Sequence, residues 1–421
     1  MSAYAGQPLR ARDREGTCGL LPPHGAATYE QFLKLYGPTP RPGERLLDIV
    51  QASGLSGRGG AGFPTARKLR AVRDGRRPVV LANGTEGEPA SHKDEVLLSH
   101  NPHLVIDGAL LAADAVRARR VIIAVARAAD AAAQLERALA SRPDGDRVEV
   151  RTVPDRFIAG EESALIHFLN GGEAKPTNTP PRPFERGVGG RPTLVQNVET
   201  LATLALIARY GEGWFRASGT AEEPGNVLAT VAGAVRMPGV LEVPLGIELS
   251  DLFARCGGLT EPARAYLVGG YFGRWVPAVE GLELSSASLA TAGGSLGART
   301  VVAFPQSSCG VLESARVIAY MAGQSAEQCG PCVFGLRTLA ARFATIARAE
   351  PGATEAYGAL AGLHRQIARR GACAHPDGVL EFAASATNVF ADEFSAHLAG
   401  HCTARSHQHV LPVPTKQGDW R

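Results

Sequence analysis

Residues 78–89 read PVVLANGTEGEP. The apolar run Pro78–Ala82 has the length and branching of a strand buried on both faces, and the polar run Asn83–Pro89 leaves it as a loop. The same alternation continues downstream. His103–Val116 reads as an apolar-faced helix, Arg120–Ala126 (RVIIAVA) as a strand, Asp130–Ala140 as a helix and Val148–Val153 as a strand. Further helices are expected at Glu161–Leu169 and Val198–Tyr210. Strands alternating with helices imply a mostly parallel sheet covered on both faces. Ligands of such sheets sit beyond the carboxyl ends of the strands, which makes the loop after Ala82 a candidate site.

Near Pro224 the pattern changes. Strands are expected at Asn226–Ala232, Leu241–Val243, Ala265–Val268 and Arg299–Phe304, with one helix at Leu249–Cys256 stopped by Gly257-Gly258. From Val311 onward the periodicity is helical, over 311–323, 333–349, 354–370 and 378–398. The expected architecture is an α/β domain, a small β-rich domain and a C-terminal α-helical bundle. Its boundaries are an arm over 1–44 with a first short helix near Glu44–Ala52, then 45–222, 223–305 and 306–402. A poorly ordered tail is expected over 403–421.

The chain has 421 residues, with 44 Lys+Arg against 41 Asp+Glu and a net charge of +3. That near-balance excludes a protein built to grip nucleic acid or anionic lipid over its whole surface. No apolar run approaches the roughly 18 residues of a membrane span. The opening MSAYAGQPLRARDREG has no apolar stretch behind its charges, so no secretory signal is read. The protein is expected in the cytoplasm, with any membrane association made through partners. Seven cysteines, an odd count, argue against a disulfide framework and for metal, catalytic or buried thiols.

Four motifs carry chemistry. Ser56-Gly57-Arg58-Gly59-Gly60-Ala61-Gly62-Phe63-Pro64-Thr65-Ala66-Arg67-Lys68 is a glycine-rich loop whose bare backbone can approach a flat ring or a phosphate. Arg58, Arg67 and Lys68 supply cationic donors. The loop lacks the Gly-Lys-Ser/Thr ending of a Walker motif and precedes the first clear strand, unlike a Rossmann fingerprint. Asn83, Glu86 and Glu88 form the second motif, with Lys93-Asp94 close behind. In the third, Gly160-Glu161-Glu162 opens a helix, where acidic residues also suit the helix dipole; Pro183-Phe184 and Pro192…Asn197-Val198-Glu199-Thr200 follow. Phe63 and Phe184 can stack on a nucleotide ring or simply pack in a core. The fourth is Cys329-Gly330-Pro331-Cys332 with Cys373 beyond it, a spacing suited to an iron–sulfur or zinc centre. A thioredoxin-like dithiol is the alternative, against helical surroundings and a third cysteine.

Together and in this order, the motifs resemble the flavoprotein NADH-binding subunit of respiratory complex I and its relatives in NAD-linked hydrogenases and formate dehydrogenases. The resemblance covers about residues 45–400; it implies that the α/β domain is a flavin- and nucleotide-binding domain, and its middle region is similar to an SLBB β-grasp domain. It implies hydride transfer from NADH to FMN, then single-electron transfer through a 4Fe-4S cluster to a partner protein of ferredoxin-like or thioredoxin-like fold. Carried over by position, Gly57, Arg58, Gly59, Lys68, Asn83, Glu86, Gly160, Glu161 and Asn197 would contact FMN. Phe63, Glu88, Glu162 and Phe184 would contact NADH, and Cys329, Cys332 and Cys373 would hold the cluster.

Three positions depart from the family pattern. Thr85 stands where the family has Asp, Phe157 where it has Tyr, and Ala326 where it has the first cluster cysteine. Ser325, His375, Asp377 or solvent are candidates for the fourth ligand, so the expected cluster has one unusual or labile iron. Cys309 and Cys402 could join it only by a fold-back that the sequence does not reveal. A scaffold with a decayed flavin pocket is the competing functional reading.

Overall fold

In the computed structural model, which describes residues 18–26, 28–406, 408–415 and 418–421, four strands form a parallel sheet. They are Val79–Gly84 (β1), Arg120–Ala126 (β2), Val148–Val153 (β3) and Thr193–Asn197 (β4), in the order β3-β2-β1-β4. Side chains alternate between faces, and both faces are covered, so the centres of β1 (Val79–Ala82) and β2 (Val121–Val125) are apolar. Val80, Ala82, Val121 and Ile123 enter one core; Val79, Leu81, Ile122 and Ala124 enter the core on the other side. Helices Pro102–Val116 and Val198–Arg216 pack in the first of these cores.

The chain runs from β1 to β2 to β3 on one side and then returns to lay β4 on the other flank of β1. The strand order therefore reverses between β1 and β4, which is where an open sheet of this kind has its ligand crevice. Asn83 and Asn197 are register partners at that point. β4 was not expected as a strand: TLVQN is short and half polar, and the free edge of β1 supplies its pairing.

The second sheet comprises Asn226–Gly233 (β5), Gly239–Pro244 (β6), Ala263–Val268 (β7), Arg274–Pro277 (β8) and Thr300–Pro305 (β9), ordered β6-β5-β9-β7-β8. Val227, Ala229 and Val231 of β5 pack with Leu252 and Phe253 of helix Leu249–Arg255. The third region is helical from Gly310, and each of the two long C-terminal helices expected from the sequence is broken. They become Ala353–Gly358 with Leu360–Ile367, and His375–Val389 with Ala391–Leu398. At the second break the Phe390 ring packs against Gly310, where a side chain would collide with it. Trp275 of β8 joins the two regions, its backbone N donating to Ser385 Oγ and its Nε1 to Ser314 Oγ, each at 3.0 Å.

The tail corrects the sequence reading. Leu411 is buried, its backbone N donating to Glu313 Oε2 at 3.2 Å, and Tyr271 donates its hydroxyl to Pro412 O at 2.6 Å. Trp420 lies under the Arg156 guanidinium, 4.0 Å from ring centroid to Cζ. These isolated anchors in a Pro-rich stretch leave no periodic signal. At the other end, residues 1–17 of the expected arm lie outside the described residues, and Tyr29–Tyr36 forms a helix with Phe32 in the main core. Among the described residues, no helix is long and apolar enough to cross a membrane.

Candidate functional site

The glycine loop is closed at its neck. Ser56 bridges Pro64, Gly57 N donates to Phe63 O at 2.9 Å, and Thr65 N donates to Leu55 O at 2.9 Å. Within it, Gly60 and Gly62 sit at φ +110° and +62°, a backbone region in which other residues are strained. Helix Thr65–Arg73 starts at once and carries Arg67 and Lys68 in its first turn.

Arg58 departs from the expected role. Its side chain is buried beneath the loop, donating to Pro224 O and Asn226 O at 3.3 Å each, so it is not a phosphate donor facing the cleft. Burial, reinforced by the neighbouring Arg299 cation, pulls its pKa down to about 9. Arg299 was missed by sequence reading. From the start of β9, some 240 positions away, it donates to Arg58 O at 2.9 Å and Gly57 O at 3.3 Å, holding the loop from the β-grasp side. Nothing local in Gly297-Ala298-Arg299 announces that contact.

Above the loop lies a cleft of about 1140 Å³. Gly57, Gly59, Lys68, Asn83, Glu86, Gly160, Glu161 and Asn197 all line it, as do Phe63, Glu88, Glu162 and Phe184. Its size exceeds the ~300–1,000 Å³ of an ordinary small-molecule pocket, leaving room for two large ligands. Phe63 and Phe184 are 43% and 40% exposed; the Arg67 guanidinium lies over the Phe63 ring, 5.6 Å from its centroid. A wall without side chains, a lysine and two exposed rings fit a flavin phosphate and a nicotinamide nucleotide.

Several of these residues already have partners. Glu86 accepts from the backbone N–H groups of Lys93, Asp94 and Glu95 at 3.0–3.2 Å, capping helix Lys93–His100. Glu161 accepts from Ser163 N and Ala164 N at 3.0 and 3.1 Å, capping the next helix. Lys68 is ion-paired with Glu162 and also donates to Val195 O. Asn83 donates to Gly160 O at 2.8 Å and accepts from Thr85 N at 3.1 Å. Asn197 donates to Asp94 Oδ2 at 2.6 Å, and its Oδ1 caps helix Val198–Arg216. The asparagines are thus held rigid, and Lys68 has one carboxylate competitor for an anion.

Glu88 accepts from Tyr271 N at 2.6 Å and Ala90 N at 3.1 Å, tying the cleft to the β-grasp domain. Loss of solvent pushes its carboxyl up to about 7, the two N–H donors pulling in the opposite direction. Phe157 packs edge-on against Phe272, 4.8 Å between centroids, and its backbone N donates to Gln324 Oε1 at 3.0 Å.

Of the cysteines in the fourth motif, Cys373 adjoins this cleft. Cys373, Ala374 and His375 line its wall. Cys332 lies in a π-helical turn, Pro331–Leu336, a form associated with functional sites. Burial pushes the Cys332 thiol up to about 12; Ser325 hydrogen-bonds to it, and Cys329 and Cys373 are its neighbouring thiols. Three thiols and one hydroxyl are a donor set that suits an iron–sulfur cluster. Of the other fourth-ligand candidates, His375 Nε2 is engaged with Met321 O at 2.9 Å, and burial pulls its pKa down to about 4. Asp377 accepts from Arg369 N at 2.7 Å. Cys309 and Cys402 do not join the group; the neighbours of Cys309 are Cys402, His397 and Glu393.

Comparison with known proteins agrees with this geometry. The family model for the Nuo51 FMN-binding domain matches residues 50–206, the SLBB domain 228–270, and the NADH-ubiquinone oxidoreductase-F iron-sulfur binding region 313–397. An NADH-quinone oxidoreductase F subunit of Rhizobium meliloti is 32% identical over 84% of this chain and 89% of its own length. The corresponding protein of Streptomyces coelicolor is 31% identical over 88% and 86%. An NAD+-reducing NiFe hydrogenase in its H2-reduced state superposes with a TM-score of 0.77 at 30% identity, covering 85% of this chain and 63% of the hydrogenase chain. The glycine loop, the crevice between β1 and β4 and the adjoining thiols therefore have one source: this chain belongs to the family of NADH-quinone oxidoreductase F subunits, the complex I flavoproteins.

Proposed function

We propose that this chain oxidises NADH in the cleft between β1 and β4, with FMN against residues 57–62 and a 4Fe-4S cluster on Cys329, Cys332 and Cys373. The observation that carries this reading is a single cleft lined by the glycine loop, by Glu88 and by Cys373. Bound there, FMN would supply the conversion from two-electron to one-electron chemistry, and the chain's part is to position and insulate it. Gly57 and Gly59 would leave room for the ring, Lys68, once released from Glu162, would hold the phosphate, and Phe63 and Phe184 would flank the nucleotide. This would be a subunit that works with others. Phe334, 73% exposed and two residues from Cys332, supports an acceptor protein docking at the cluster end. The test is NADH:ferricyanide turnover by the FMN-reconstituted chain; protein that takes up FMN yet gives no turnover overturns the reading.

Two predictions arise here. The Glu88 carboxyl has its folded pKa raised from 4.5 to about 7, so its protonated form favours the folded site at low pH and that contribution is lost as pH rises through 7. Beside the nucleotide ribose, the anion repels a 2′-phosphate. The NADPH-to-NADH ratio in kcat/KM is expected to rise about tenfold from pH 8 to pH 6, a change of ~1.4 kcal/mol, and to be high and pH-independent in Glu88→Gln. A flat wild-type profile would count against Glu88 at the ribose.

The second concerns the missing cysteine. With Ser325 and no thiol at Ala326, one iron is weakly held. Mild oxidation of the wild type should yield a 3Fe-4S EPR signal, and Ala326→Cys should suppress it. Equal signals in both proteins would place the labile iron elsewhere.

A further inference from the structure

Cys309 lies at one end of the helical region and His397 and Cys402, five positions apart, at the other, yet their ligand atoms all lie within 4.8 Å of one another. Cys309 stands at the N-cap of helix Gly310–Gly323, where its Sγ accepts from Leu312 N at 3.4 Å. His397 closes helix Ala391–Leu398, and Cys402 lies in the segment after it. His397 is buried, and its Nδ1 lies 3.1 Å from Ile346 O. A carbonyl accepts only, so Nδ1 donates, and Nε2, 3.3 Å from Cys309 Sγ, is the ring nitrogen left to face a metal. Metal-ligating histidines are commonly oriented by such a carbonyl.

We propose that Cys309, His397 and Cys402 form a mononuclear zinc site, separate from the iron–sulfur cluster, with solvent in the fourth position. Two thiolates and an imidazole match zinc in softness and geometry. At the usual Zn–S of ~2.3 Å and Zn–N of ~2.0–2.1 Å, tetrahedral ligand atoms stand about 3.5–3.8 Å apart, a spacing this trio reaches with small adjustments. An iron–sulfur cluster would need its thiolates further apart than ligands of one ion. Cys402 is only half-buried, which leaves a face for solvent. Burial and the adjacent Glu393 favour the neutral Cys309 thiol without metal; a dication reverses that preference. Cys309 and Cys402 both fall outside the residues matched by the iron–sulfur family model, 313–397. The site would pin the tail, which continues from Cys402 to Leu411 and Pro412, beside Glu313 and Tyr271.

The test is metal analysis of the full chain purified without chelators. About one zinc per chain is expected in addition to cluster iron. Cys309→Ser/Cys402→Ser should lose the zinc and keep the iron and FMN, while Cys329→Ser/Cys332→Ser should lose the iron and keep the zinc. Zinc K-edge absorption of the wild type needs no variant and should show two sulfur scatterers near ~2.3 Å with nitrogen or oxygen at ~2.0–2.1 Å. Zinc well below stoichiometry, a coordination shell without sulfur, or a Cys309–Cys402 disulfide on non-reducing peptide mapping overturns the proposal.

Discussion

Gly59→Leu is expected to abolish FMN binding while the chain still folds. A Cβ at this position would stand 3.3 Å from Asn197 Cβ, so the leucine must extend into the cleft. Overpacking of this kind costs ~1–3 kcal/mol even where neighbours can yield, and here the displaced volume is the ligand's. Loss of FMN affinity by at least about 100-fold is expected, read by flavin fluorescence on titration. A thermal melt within a few degrees of the wild type separates this from misfolding. Unchanged FMN stoichiometry in the variant would show that the ring does not lie on this loop.

Arg299→Met should reach the same end from another domain. The guanidinium is buried and bonds the carbonyls of Gly57 and Arg58. Removing it leaves one buried acceptor, Arg58 O, unpaired at ~1–3 kcal/mol, and frees the part-buried Gly57 O at the cleft wall. The cost falls on the loop, so FMN affinity should drop by more than tenfold although Arg299 belongs to the β-grasp domain. Arg274→Met is the control: its guanidinium pairs with Glu381 and donates to Gly293 O at 3.3 Å, both at the surface, where an ion pair contributes ~0–1 kcal/mol, and it makes no bond to residues 57–62. Equal FMN affinities for both variants would remove the β-grasp domain from the flavin site.

The first sheet was legible where burial on both faces forces an apolar run, as in Arg120–Ala126, and where an edge strand alternates apolar with polar residues, as in Val148–Val153; the ends of both match the structure. β4 was not, because TLVQN becomes a strand only through the edge of β1. Helix Lys93–His100 was missed for a related reason: apolar and polar residues are spread around it, and Glu86 caps it from seven positions upstream. In the site, the glycine loop and both asparagines stood out by residue type and order. The direction of the Arg58 side chain did not, since it depends on Pro224, Asn226 and Arg299. The meeting of Cys309 with Cys402 was hidden by the break at Phe390, which turns the final helix.

The visible spectrum of the anaerobically purified chain, before and after one equivalent of NADH, tests the central claim most directly. The account predicts a yellow-brown protein with about one FMN per chain, whose flavin band bleaches on NADH while an iron–sulfur EPR signal appears. A colourless protein that takes up no FMN on reconstitution would contradict it.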